Sequence, residues 1–400
     1  LRNSFVLLIA AIIGFGLAGS TATATSPAPT KKKRPVRRTV AARSALATKS
    51  AAAKTALAVK ATATTSVKAP VKAALALKPT GHWRAPNYAD STEGDNVDGD
   101  DLTVRRAAVE ALGPLNGSVV VTDAETGRIL SIVNQKLAYQ SGFQPCSTVK
   151  IPVALAALSE SIVERDTPLR IYGRTSFNMT TAIAKSNNQY FASLGEKLGF
   201  DRMSYYARLF GLGEKAGLDI AQEQPGILPS ETPKSGMGMM TSFGDGITIT
   251  PLEMAALMGA VANGGTLYYL QYPRTSSDAG LLPRIKRRLD IDQWIPEIKP
   301  GMLGAVEYGT ARRIGADPNE PIYGKTGTCT DTRTPTHLGW FGSFGEIGKS
   351  KLVVVVMLTG GRLVSGPAAS GVAGQVYRNL AAQGYFGGQI PVTAPAAAVN

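Results

Sequence analysis

Between residues 103 and 386 the apolar and polar positions follow two periods, and the order in which they alternate points to an architecture. Residues 103–112 carry apolar side chains at helical spacing. Residues 117–123 (Gly-Ser-Val-Val-Val-Thr-Asp) and 128–133 read as strands joined by a turn ending in Gly127, which predicts an antiparallel hairpin. Residues 148–163 predict an apolar helix, and a stretch dominated by helices runs on to about residue 264. The Pro- and Gly-containing loop 222–240 interrupts it. Strand patterns return at 323–328, 338–344 and 351–358, and a helix at 370–382 closes the region. Strands at both ends enclosing a helical insertion predict an α+β fold, an antiparallel sheet flanked by helices with a helical lobe.

The N-terminal quarter has a different character. Residues 5–19 form an apolar run behind Arg2, followed by the small residues Ala22-Thr23-Ala24. A run of this length is short for a membrane span of ~20 residues and fits a cleaved export signal, with an uncleaved anchor as the alternative over residues 1–24. Residues 26–86 are rich in Ala, Lys, Thr, Val and Pro, include Lys31-Lys32-Lys33-Arg34 and sustain no apolar period. Such a stretch is expected to be a disordered basic linker, with an acidic end at 90–101, so that the linker as a whole covers 25–101. The folded domain is then 102–386 and residues 387–400 a disordered Pro/Ala tail.

Charge sharpens this division. The formal net charge is +14, yet residues 1–89 hold 15 of the 43 Lys and Arg and none of the 29 acids. The body is therefore near neutral. A basic tail on a neutral body suggests a tether touching anionic membrane or wall polymer, and no nucleic-acid partner is expected.

Ser147-Thr148-Val149-Lys150 is the one S-x-x-K in the chain. Pro145 precedes it and an apolar run follows, so Ser147 is expected at a helix start with Lys150 one turn on, on the same face. A helix N-terminus favours developing negative charge, and a lysine there can act as base once burial or a second cation lowers its pKa from ~10.4. Gly324-Lys325-Thr326-Gly327-Thr328 sits on a predicted strand. Gly327 allows a substrate backbone to approach, Thr326 and Thr328 offer hydroxyls to a carboxylate, and Lys325 supplies charge. Of two S-x-N triplets, Ser186-Asn187-Asn188 is preferred over Ser176-Phe177-Asn178, because a helical approach leads into it and the other lies in an expected loop. Two histidines, His82 and His337, leave only His337 for a Ser-His-Asp triad, and it is read as structural. No cluster has metal-ligand spacing, so neither metal nor cofactor is expected.

Ordered S-x-x-K, S-x-N and K-T-G resembles penicillin-binding proteins and serine β-lactamases. Ala184-Lys185-Ser186-Asn187-Asn188-Gln189-Tyr190-Phe191, Pro225-Gly226-Ile227-Leu228-Pro229-Ser230 and Ile249-Thr250-Pro251-Leu252-Glu253 are similar to class B penicillin-binding transpeptidases over about residues 103–386. The resemblance implies a five-stranded sheet, Ser147 as nucleophile, Lys150 as base, Ser186 as proton relay and Asn188 as a contact to the substrate amide. Lys325, Thr326, Gly327 and Thr328 would hold the substrate, with the N–H groups of Ser147 and Thr328 as oxyanion hole. The implied activity is peptidoglycan D,D-transpeptidation on stem peptides, with β-lactams as inhibitors, in an exported protein.

Alternatives are a D,D-carboxypeptidase, a serine β-lactamase, or, more remotely, a non-catalytic nucleic-acid or polyanion binder acting through the basic tail. For a β-lactamase, Glu223 is the nearest candidate for a deacylating carboxylate, but Ile227 follows where an Asn belongs. The 39-residue interval from Ser147 to Ser186 is short for the family, which suggests a trimmed helical lobe. Cys146 directly precedes the nucleophile and Cys329 directly follows the K-T-G-T run. In carbapenem-hydrolysing class A β-lactamases the same placement is a disulfide, so a Cys146–Cys329 bridge is expected.

Overall fold

The computed structural model describes residues 83–140, 142–173, 175–273, 282–315, 317, 319–331, 334–348 and 350–387. The expected signal or anchor, the linker up to residue 82 and the tail from 388 lie outside the described residues. Among the described residues no helix is long and apolar enough to cross a membrane.

Elements follow in the order α1 (Leu102–Leu112), β1 (Gly117–Asp123), β2 (Ile129–Val133), α2 (Gln135–Ala138), a 3₁₀ turn (Cys146–Val149) and α3 (Lys150–Ser159). A helical region comes next, with β3 (Leu169–Tyr172), β4 (Thr175–Phe177), α4 (Met179–Ala184), α5 (Asn188–Leu209), α6 (Met237–Phe243) and α7 (Pro251–Ala262). After β5 (Thr266–Tyr268), β6 (Ile285–Arg288) and α8 (Ile295–Glu307) the chain returns to β7 (Ile322–Asp331), β8 (Thr336–Ile347), β9 (Ser350–Gly360) and α9 (Gly366–Ala382).

The main sheet is five-stranded and antiparallel, in the order β2-β1-β9-β8-β7. Its strands are apolar on both faces because both are covered. Val353, Val355 and Met357 of β9 join one core with α3, α5 and α7, while Val354, Val356 and Leu358 join a second core with α1 and α9. Side chains alternate across a strand, so an unbroken Val run in β9 serves two layers at once. The expected α+β sheet with a helical lobe is what forms.

Three local expectations change. The helix expected over 148–163 is shorter, and Ser147 lies in the 3₁₀ turn ahead of it. The last helix starts at Gly366, with Ser365 as N-cap accepting the Ala368 N–H. Residues 90–101, expected as the linker's acidic end, are built into the domain. Asp95 accepts the N–H groups of Asn134 and Gln135 and pairs with Arg105 at 2.7 Å, and Asn87 accepts the Gly361 N–H. A run of acids reads as solvated when its buried partner, Arg105, stands next to an exposed Arg106 and nothing in the sequence tells the two apart.

Strand order leaves β7 at one side of the sheet. β7 pairs with β8 on one side only, so its other edge is open, and that strand carries Lys325 to Cys329.

Candidate active site

The Ser147 turn is held from several directions. Trp340 Nε1 of β8 donates to Gln144 O at 2.9 Å, Gln144 Nε2 donates to Phe243 O at the end of α6, and Thr148 Oγ1 donates to Pro145 O at 2.6 Å. Gly244 packs on Pro145, where a Cβ would come within 2.3 Å of Cγ. Cys146 occupies the left-handed region (φ 53°) and is disulfide-bonded to Cys329, Cα to Cα 5.5 Å. The expected bridge is present. It ties the Ser147 turn to the strand facing it.

Gly327 lies across from that turn, and a Cβ there would sit 2.8 Å from Pro145 O and 3.2 Å from Cys146 Cβ. Only glycine lets β7 close on the Ser147 turn. Alternation along β7 sends Lys325, Gly327 and Cys329 to this face and Thr326 and Thr328 to the other, where α9 begins. There the Gly366 N–H donates to Thr328 Oγ1 at 2.7 Å. Backbone groups two apart point to the same edge. Thr326 O, which accepts from Lys325 Nζ at 3.0 Å, thus marks the edge toward which the Thr328 N–H also points.

Ser186 lies in the three-residue link between α4 and α5, again left-handed (φ 54°), and Asn187 caps α5 by accepting the Tyr190 N–H. This places Ser186 and Asn188 over Lys150. The other triplet is elsewhere: Ser176 and Phe177 are in β4, and Asn178 caps α4 in a capping box, a structural use of the same residue types.

Lys150 Nζ stands 3.0 Å from Ser147 Oγ, 3.1 Å from Ser186 Oγ, 2.9 Å from Ser186 O and 2.6 Å from Asn188 Oδ1. Two of these partners, a carbonyl and an amide oxygen, can only accept. A neutral amine has two N–H groups for them and a lone pair left over, which then faces hydroxyl protons. Both Lys150 and Lys325 are fully enclosed (0% exposed). Burial, and secondarily the Lys325 charge, lowers Lys150 to about 6, and burial lowers Lys325 to about 7. Lys325 Nζ donates to Ser186 Oγ at 2.8 Å, completing a chain from Ser147 through Lys150 and Ser186 to Lys325.

Ser147, Lys150, Ser186, Asn188 and Lys325 thus meet at one place, with Thr326 and Thr328 on the neighbouring face of β7 beside Thr310 and Gly366. His337 does not belong to it in this way; its Nδ1 bonds Thr330 Oγ1 and its ring meets Trp83 edge-on. The Glu223 carboxylate accepts the Gly217 and Leu218 N–H groups, a structural tie. Among the described residues no cluster of His, Cys, Asp or Glu suits a metal. Two contributors were not singled out from sequence, Thr310, whose Oγ1 lies 2.6 Å from Thr326 Oγ1, and Gly366. Single Thr and Gly residues outside a motif carry no pattern to mark them.

A model of the penicillin binding protein transpeptidase domain matches residues 117–382. The protein belongs to that family. Stage V sporulation protein D of Bacillus subtilis is 28% identical over 282 residues, covering 62% of this chain and 44% of the relative. The peptidoglycan D,D-transpeptidase MrdA of Haemophilus influenzae is 25% identical over 337 residues, covering 64% and 52%. The chain spans about half the length of these two relatives. PbpA of Mycobacterium tuberculosis, another peptidoglycan D,D-transpeptidase, is 26% identical with 68% of each covered. Among solved structures, PBPA of Mycobacterium tuberculosis superposes with TM-score 0.61 at 24% identity, covering 70% of this chain and 81% of that one. Pseudomonas aeruginosa PBP2 in complex with WCK 5153 gives 0.60 at 24% identity, covering 71% and 74%. These likenesses speak for a shared fold.

Proposed function

We propose that the protein is an exported peptidoglycan D,D-transpeptidase acting through an acyl-enzyme on Ser147. The observation that carries this reading is the enclosed lysine, Lys150, with two acceptor-only partners and its remaining valence directed at hydroxyls. Ser147 Oγ attacks the carbonyl between the two terminal D-Ala residues of a stem peptide while its proton passes to Lys150 Nζ. The N–H groups of Ser147 and Thr328 receive the developing oxyanion. Ser186 passes its proton to the leaving D-Ala nitrogen as the C–N bond breaks and takes one in turn from Lys150 Nζ, 3.1 Å away, and the hydroxyls of Thr326 and Thr328 with Lys325 hold the terminal carboxylate. Asn188 contacts the donor's amide. An amine of a second stem peptide then attacks the ester and Ser147 recovers its proton.

β-Lactams would enter by the same acylation and stay, since Glu223, the carboxylate considered for hydrolysis, is tied to backbone N–H groups. In cells the basic segment ahead of the domain would hold it near anionic surface polymer. Purified protein given a stem pentapeptide, with and without a diamino acid acceptor, tests the reading. Release of one D-Ala per event together with an acceptor-linked product is expected. Release of D-Ala with water as the sole acceptor would make the protein a carboxypeptidase.

A further inference from the structure

We propose that Thr310 is a positioning residue for carboxylate recognition, its hydroxyl donating to Thr326 Oγ1 so that the Thr326 proton faces the bound anion. The inference rests on the functional reading above, which gives Thr326 a carboxylate to bind.

A threonine hydroxyl has one proton and can accept as well as donate. At Thr328 the question of direction does not arise. Its Oγ1 accepts from the Gly366 backbone N–H at 2.7 Å, a group that can only donate, so the Thr328 proton is free for a ligand. At Thr326 the neighbour is another hydroxyl, Thr310 Oγ1 at 2.6 Å, and either can give the proton. If Thr326 gave its proton, its lone pairs would confront the carboxylate. An anion beside Thr326 therefore selects the arrangement in which Thr310 donates, and Thr326 then becomes a donor like Thr328.

Thr310 is held for this purpose by backbone, not by its own side chain. Its N–H donates to Ala184 O at 3.2 Å, and the next residue, Ala311, donates to Ala305 O of α8 at 2.8 Å. Gly309 lies so close to the end of α4 that a Cβ would meet Ala184 O at 2.2 Å. Ala184 ends α4 two residues before Ser186, so one short segment spans from the Ser186 link to the carboxylate end of β7.

Second-order acylation rates for benzylpenicillin and for its methyl ester, which lacks the anion, test the assignment in Thr310→Val and Thr310→Ser. Loss of one ordinary hydrogen bond corresponds to about tenfold. Thr310→Val is expected to lose about tenfold on the acid and nothing on the ester, and Thr310→Ser to restore the wild-type ratio. The acid-to-ester ratio within each variant does not depend on how much of the protein is folded. Equal loss on both compounds, or none on either, overturns the role of Thr310 while leaving Ser147 chemistry in place. A wild-type protein that forms no adduct with either compound overturns the functional reading instead, and this inference with it.

Discussion

Acylation should follow the titration of Lys150. The lysine's folded-state pKa is about 6, lowered first by burial and then by Lys325. At pH 7 a base with that pKa is neutral about nine times in ten, whereas a lysine at ~10.4 is neutral about four times in ten thousand. The enclosure thus raises the supply of base by roughly two-thousandfold, more than most single hydrogen bonds contribute. Between pH 5 and pH 7 the neutral fraction rises about tenfold, so the second-order rate with a fluorescent penicillin should rise by the same factor and level off. Lys325→Met removes the second cause of the shift, so the rising limb should move to higher pH while the plateau falls. The same shift acts on stability. Between about 6 and the unfolded value the unfolded chain holds more protons than the folded one, so this lysine makes stability rise with pH across that window. A rate that is flat between pH 5 and 7, or a limb that stays in place without Lys325, would refute the assignment of Lys150 as base.

The Cys146–Cys329 bridge closes a loop with a sequence separation of 183, and replacing both cysteines by alanine should cost up to about 5 kcal/mol of chain entropy in urea unfolding. Unchanged stability and unchanged acylation together would show that the bridge does not fix the cleft. Glu253 is buried and accepts the N–H groups of Gly213, Gly226 and Thr250, with burial raising its pKa to about 7. Glu253→Ala leaves three backbone donors, two of them buried, without partners and should cost ~3 kcal/mol or more, and a loss under ~1 kcal/mol would mean that water replaces the carboxylate.

The sheet and the three motifs were legible in the sequence because each has a local signature. The β-branched run Val353 to Val356 favours a strand, and Ser147 with Lys150, or Lys325 with Thr326 and Gly327, keeps its meaning at fixed spacing. The Cys146–Cys329 pairing followed from a resemblance, because adjacency to two motifs brings the cysteines together only if the motifs share a cleft. What stayed hidden depends on long-range contacts. The acidic segment looked solvated until Arg105 was seen to meet Asp95 across the hairpin end, and Thr310 acquires meaning only beside Thr326. The 3₁₀ turn at Ser147 is likewise set by the left-handed Cys146 and its partners on β7 and β8, none of them neighbours in sequence.

The most direct test of the central claim is mass spectrometry of the oxidised protein after incubation with benzylpenicillin, with peptide mapping of the adduct. One penicilloyl group per chain is expected, carried on the peptide containing Ser147, persisting for many minutes and absent from Ser147→Ala. An adduct that survives in Ser147→Ala, or maps to another residue, would contradict it.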